Sequence, residues 1–218
     1  MQIVKTKVKD PDLIRKKQQQ IVKGSIKVFR KKGFHAASIR EIARACRMSL
    51  GSLYDYIEKK EDILFLVHNE VLNQIYDRME TIAAQYDHPV EQLIHILRGL
   101  FDLTCRLKDE MLFIYTETKS LEKPYLKEIL RRESEFVSKY RELIERGVNQ
   151  GMFKCDSPDL AANILIFSGS IIPLRGWNIL PRHSEEEVFE ALKSLALKIL
   201  NVNNQAAIAM ASNQPLGN

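Results

Sequence analysis

Apolar side chains recur every three or four residues along nearly the whole chain, and no alternating apolar–polar run rises above noise. That pattern predicts an all-α fold of about nine helices. From Asp12 to Lys32 the residues Ile14, Ile21, Val22, Val28 and Phe29 share one stripe, and Gly33 stands where a left-handed residue would close a helix. Ser38 with Glu41 three positions on forms a capping box for a short second helix ending near Cys46. Ser49 is an N-cap for a third helix through Tyr56. A longer helix is predicted from Lys60 to about Ala84, carrying Ile63, Leu64, Val67, Val71, Ile75 and Met79.

Beyond it, His88–Pro89 opens a helix with Val90, Leu93, Ile94, Leu97 and Leu100 on its face, and a shorter segment follows around Glu110 to Lys119. A long amphipathic helix runs from Lys123/Pro124 to Gln150 and is stopped by Gly151. Ser157–Pro158 starts the next, and Ser184 with Glu187 repeats the capping box for a last helix ending near Leu200. Residues 203–218 are rich in Asn, Gln, Ala and Ser without a core pattern and are predicted to be a disordered tail.

Charge divides the chain. Residues 1–62 hold 16 Lys+Arg against 7 Asp+Glu, net +9, while residues 63–218 carry 17 against 21, net −4, which sums to the overall +5. A basic N-terminal module (1–62) on an acidic body (63–202) implies a polyanionic partner for the first part alone. Two short helices joined by a tight turn, the second loaded with Ser, Gly and Tyr on its outer side, describe a helix-turn-helix. In that geometry the start of the second helix enters the major groove, while Ile39, Ile42, Ala43, Cys46, Met48 and Leu53 pack it onto the module's core.

The stretch from Ile21 to Leu64 resembles the N-terminal DNA-binding module of the tetracycline-repressor family of bacterial regulators. The elements that match are FRKKGF, SIREIA, SLGSLYDY and KKEDIL. Two positions depart from the family: Arg47 stands where Gly is common in the turn, which implies a left-handed Arg, and Ile57 where Phe is usual. The resemblance implies that Ser38, Tyr54 and Tyr56 hold phosphates, with Lys60 adding a charge-based contact. Ser49, Leu50 and Ser52 are then placed for base edges, with Arg40 and Arg47 as additional contacts. Lys5, Lys7, Lys9, Arg15, Lys16 and Lys17 either track phosphate as an arm or are simply solvated.

For the body the resemblance implies a ligand pocket among the middle helices and pairing of two chains through the last two. Small residues between large apolar ones in 158–172 (PDLAANILIFSGSII) and the stripe Val188, Leu192, Leu195, Ile199, Leu200 agree with a homodimer on a palindromic double-stranded DNA operator. Candidate ligand-binding residues are Phe101, Thr104, Cys105, Tyr115, Thr116, Phe136, Tyr140, Phe167 and Trp177, with Arg175 for an anionic group. Their apolar bias favours a hydrophobic or amphipathic small-molecule effector, an acyl-CoA or an aromatic compound. The function expected is a ligand-responsive repressor. An activator or a ligand-independent regulator is not separated from it by sequence.

No convergent acid, base or nucleophile set points to an enzyme; Glu128/Arg132 and Glu142/Arg146 are at helical salt-bridge spacing. Cys46, Cys105 and Cys155 are far apart, and His68, His95 and His183 are isolated, so neither a metal site nor a cofactor is expected. Apolar runs fall short of the roughly 20 residues a membrane span needs, and the N-terminus lacks a signal-peptide core. The protein is expected to be cytoplasmic, bacterial and nucleoid-associated, with no membrane partner.

Overall fold

The computed structural model describes residues 4–202; the tail from residue 203 lies outside the described residues. Among the described residues there are ten α-helices, one 3-10 turn (Thr118–Ser120) and no strand, an all-α fold as the periodicity predicts. In chain order they are α1 (Pro11–Ala36), α2 (Ile39–Ala45), α3 (Leu50–Tyr54), α4 (Lys60–Ala83), α5 (Pro89–Arg106), α6 (Lys108–Glu117), α7 (Lys123–Asn149), α8 (Pro158–Ser168), α9 (Ile171–Ile179) and α10 (Glu185–Ile199).

The predicted boundaries hold closely, with two differences. Helical pairing resumes after Gly33, so α1 reaches Ala36, but Gly33 itself has φ 76° and ψ 165°, a region open essentially to glycine alone. The segment beginning at Pro158 is two helices, not one, which raises the total to ten. Ser168, Gly169 and Ser170 interrupt it, and Pro173 lacks the N–H that would bond back to the Gly169 carbonyl. No single described helix is long and apolar enough to cross a membrane; α8 and α9 together have the length and composition but are bent by 49°.

The chain forms two compact units. The first comprises the residues up to Gln74 together with Leu107–Arg132, the second Ile75–Arg106 and Glu133 onward. The first unit therefore holds more than the basic module ending at residue 62. Its core joins Ile21, Ile26, Phe29, Ile42, Leu53, Ile57 and Leu64 with Phe113 and Ile129 from the later segment. Phe29 stacks on Phe113 at 4.8 Å, and Arg30 pairs with Asp109 at 2.8 Å. Within the second unit Met79, Leu93, Ile96, Phe136, Tyr140, Ile144, Leu165 and Leu200 form one core, and Phe101, Ile172, Val188 and Phe189 a smaller one.

Two local features of the first unit have measurable consequences. Gly24 on α1 touches the end of α2: a Cβ there would stand 2.4 Å from Cys46 Sγ and 2.9 Å from the Cys46 backbone. Gly24→Ala is expected to destabilise the protein by about 1–3 kcal/mol through overpacking, read from the urea midpoint; an unchanged midpoint would show that the contact relaxes freely. His68 on α4 is buried at 1% exposure, and its Nε2 has no hydrogen-bond partner. Burial pushes its pKa down from 6.5 to about 4. The unfolded chain thus binds the proton more readily, so stability is complete above about pH 6.5 and is lost as pH falls toward 4, by up to roughly 3 kcal/mol from this group. His68→Leu should flatten that limb of the stability–pH curve; an equally steep limb in the variant would assign the loss to other groups.

Candidate nucleic-acid interface

The turn between α2 and α3 is built from both ends. The Ser38 hydroxyl accepts from the Glu41 N–H at 3.3 Å, and the Glu41 carboxylate accepts from the Ser38 N–H at 3.1 Å, the reciprocal pair the capping box predicts. Lys32 also bonds Glu41. That bond, followed by the Ser38 backbone N–H, holds the exposed Glu41 carboxyl down at about 2. At the other end of α2 the Arg47 N–H bonds the Arg44 carbonyl at 3.0 Å and the Met48 N–H bonds the Ala43 carbonyl at 2.9 Å. These two bonds are a Schellman closure, and its left-handed position is Arg47, φ 53°. The Arg in place of Gly therefore keeps the turn at a conformational cost of about 1–2 kcal/mol. From α1, the Gln20 amide donates to the Cys46 carbonyl at 2.6 Å and seats the turn. Nothing in the polar QQQ run of the sequence distinguishes that residue from its neighbours.

Helix α3 starts at Ser49, whose hydroxyl accepts from the Ser52 N–H at 3.0 Å. It buries Leu53 and leaves Leu50, Gly51 and Tyr54 exposed. Of the predicted DNA contacts, Ser38, Arg40, Arg47, Ser49, Leu50 and Tyr54 are exposed and Ser52 is half-buried. Two have other surroundings in this structure. Tyr56 lies in the first unit's core at 5% exposure. Lys60 directs Nζ to the carbonyls of Phe34, His35 and Ala37 at 2.9, 3.0 and 3.2 Å. Its three donors thus clasp the end of α1, and it sits 4.7 Å from the Phe34 ring.

A residue the sequence reading passed over organises the start of α4. Asp62, 1% exposed, accepts from the N–H groups of Glu58 and Lys59 at 2.7 and 3.1 Å through Oδ2, and from the Tyr125 hydroxyl at 2.6 Å through Oδ1. Burial first, and Asp62 second, push the Tyr125 phenol well up. Tyr125 also stacks on Phe65 at 4.6 Å, and Lys59 pairs with Glu122 at 2.6 Å. An Asp at the third position of a helix was the available signal.

The predicted ligand-binding residues are not brought together. Phe101, Thr104, Phe136 and Tyr140 are buried in the second unit and Cys105 is half-buried there. The Thr104 hydroxyl is bonded to the Leu100 carbonyl. The Tyr140 hydroxyl is buried with no partner. Phe167 at 62% and Trp177 at 74% exposure lie on the outside of α8 and α9, with Arg175 exposed over the Trp177 ring at 5.6 Å. Tyr115 and Thr116 are exposed on α6 in the first unit. Two described cavities, of 350 and 720 Å³, fall in the first unit: one between α1 and α4, the other beside α3. Neither contains a predicted ligand-binding residue.

A capped helix, a Schellman turn and a short second helix with an open polar face define a helix-turn-helix DNA-binding protein. Residues 21–67 match the family of bacterial regulatory proteins, tetR family, and residues 86–174 match the tetracyclin repressor-like C-terminal domain. The HTH-type transcriptional regulator HbdR of Aromatoleum sp. (strain CIB) is 27% identical over 211 residues, covering 94% of this chain and 90% of HbdR. Among solved structures, a tetR-family regulatory protein from Rhodococcus RHA1 superposes with TM-score 0.76 at 20% identity, covering 86% of this chain and 98% of that one. AibR, solved with isovaleryl coenzyme A and operator DNA, superposes with TM-score 0.71 at 22% identity over 86% of this chain and all 100% of AibR. The chain belongs to the tetracycline-repressor family of transcriptional regulators.

The two roles open to Lys60 give opposite outcomes. Lys60→Met is expected to lower stability by about 1–3 kcal/mol while leaving the salt dependence of DNA binding nearly unchanged. A lower salt dependence with an unchanged melting temperature would return Lys60 to the phosphate contacts.

Proposed function

We propose that the protein is a homodimeric repressor that holds a palindromic operator through α3 of each subunit and leaves it when an amphipathic small molecule, an acyl-CoA type of compound, binds the second unit. The reading is carried by the exposed polar face of α3 behind a closed turn. Ser49, Leu50 and Ser52 would meet base edges, with Arg40 and Arg47 beside them, while Ser38 and Tyr54 hold phosphates.

Pairing is supported by the apolar surface of the second unit: Leu160, Ile164 and Phe167 on α8, Trp177 on α9 and Leu195 on α10 are all exposed. A second copy would cover this surface and set two readers on successive major grooves, about 34 Å apart. The effector reading is supported by the buried, unpartnered Tyr140 hydroxyl among apolar neighbours, a polar hook of the sort that orients an amphipathic ligand. AibR, similar in fold, was solved with an acyl-CoA and DNA together. The protein would act as a regulator without catalysis, in the cytoplasm.

Effector binding would favour a dimer whose readers no longer match the groove spacing. A coupling of about 1–3 kcal/mol is enough for a roughly 5- to 150-fold loss of DNA affinity. Fluorescence anisotropy with DNA from upstream of the protein's own gene, with and without isovaleryl-CoA and longer acyl-CoAs, tests the scheme. Tight, salt-sensitive binding released by an acyl-CoA is the expected result. Binding that no acyl-CoA releases would remove the effector class, and absence of binding even to DNA selected from a random pool would remove the regulator.

A further inference from the structure

Residues 4–10, which precede α1, are not a loose tail. Val4 is 3% exposed and sits in the first unit's core, where Val8 joins it half-buried; Thr6 lies between, its hydroxyl on the Val8 carbonyl at 2.9 Å. The alternate positions Lys5, Lys7 and Lys9 are exposed. The alternation turns Val4 and Val8 to the core and the lysines to solvent, along a backbone that bends at Val4 and Lys7. In the sequence this segment reads VKTKVK, and it forms no strand.

The place where this arm docks is the end of the recognition helix. The Lys7 N–H bonds the carbonyl of Asp55, the residue that closes α3, at 2.9 Å, and Lys5 Nζ lies 3.7 Å from the Glu58 carboxylate. Lys7 lines the 720 Å³ cavity together with Gly51 and Tyr54, both on the open face of α3, and with Asp55 and Glu58. Those two carboxylates stand beside a helix expected to approach a polyanion, and unbalanced they would repel it. The arm brings the Lys5 ammonium to the Glu58 carboxylate and sets Lys7 in the lining that Asp55 and Glu58 share. Lys9 is placed elsewhere, in the cavity between α1 and α4.

We infer that Lys5 and Lys7, carried by this docked arm, contact the DNA phosphates that flank the groove entered by α3. The inference rests on the DNA-binding reading and extends it by a second, sequence-independent element. Docking matters because a fixed lysine makes its phosphate contact without first ordering a free chain end. The contact adds affinity on any duplex and positions α3, while sequence is still read by α3 itself.

The test is the salt dependence of duplex affinity for the wild type, for the double variant Lys5→Gln/Lys7→Gln and for Lys9→Gln, on DNA selected from a random pool and on unselected duplex. Losing two contacts should lower the slope of log K against log salt by roughly 1.8 per reader, and by twice that for a dimer on two half-sites. At about 0.1 M salt each lost contact corresponds to roughly eightfold weaker binding. Selected and unselected DNA should lose affinity alike, with an unchanged melting temperature and with Lys9→Gln close to wild type. An unchanged slope in the double variant overturns the inference. So does an equal loss in Lys9→Gln, which would mean diffuse charge, or a loss confined to the selected DNA, which would mean base reading. A wild type with no salt-dependent affinity would overturn the regulator reading as well.

Discussion

A carboxylate removed from water has to have its hydrogen bonds replaced one for one, and Asp62 meets that requirement with two backbone N–H groups and one phenol. The first two bonds fix where α4 begins; the third fixes α7 to it through Tyr125. Because α3 ends at Asp55, only a few residues earlier, the same carboxylate sets the path of the chain leaving the recognition helix. Lys60 and Lys59 add ties on either side, the one to the end of α1 and the other to Glu122. The compact first unit, with residues 107–132 fastened to the DNA-binding helices, follows from these contacts and from the Phe29–Phe113 stack.

Around that anchor the reader depends on closeness rather than on mass. Helix α3 is only five residues long, too short to hold its shape without tertiary contacts. Its support is the turn before it, whose left-handed residue is an Arg, and α1 behind it, whose Gly24 admits the Cys46 backbone. The strain at Arg47 is tolerated because both Schellman bonds and the Gln20 amide hold the turn from three directions.

Most of this organisation was legible in the sequence, and the reasons for the exceptions are physical. Capping boxes at Ser38 and Ser184 and the Pro at the start of α8 are local signals, and the structure carries all of them. The break between α8 and α9 was masked by a continuous apolar composition that hid the combined effect of Gly169 and Pro173. Lys60 and Tyr56 sit in motifs associated with phosphate, yet whether a long side chain turns outward or clasps a neighbouring helix depends on contacts some 25 residues away. The arm was named from its charge, but its docking was missed, because the lysines are more conspicuous than the two valines that hold it. Residues proposed to line a pocket were chosen for size and apolarity, properties that a core and an outer interface share, and Phe167 and Trp177 lie on the outside.

Trp177 is the chain's one tryptophan, and at 74% exposure it stands almost free of the surface of α9 beside Arg175. In a single chain such an indole emits at long wavelength and is open to collisional quenchers, and a second copy seated on it would change both, so the molecule carries a built-in optical probe on the surface of its second unit. Its emission reports on that patch alone, without interference from a second indole elsewhere in the chain.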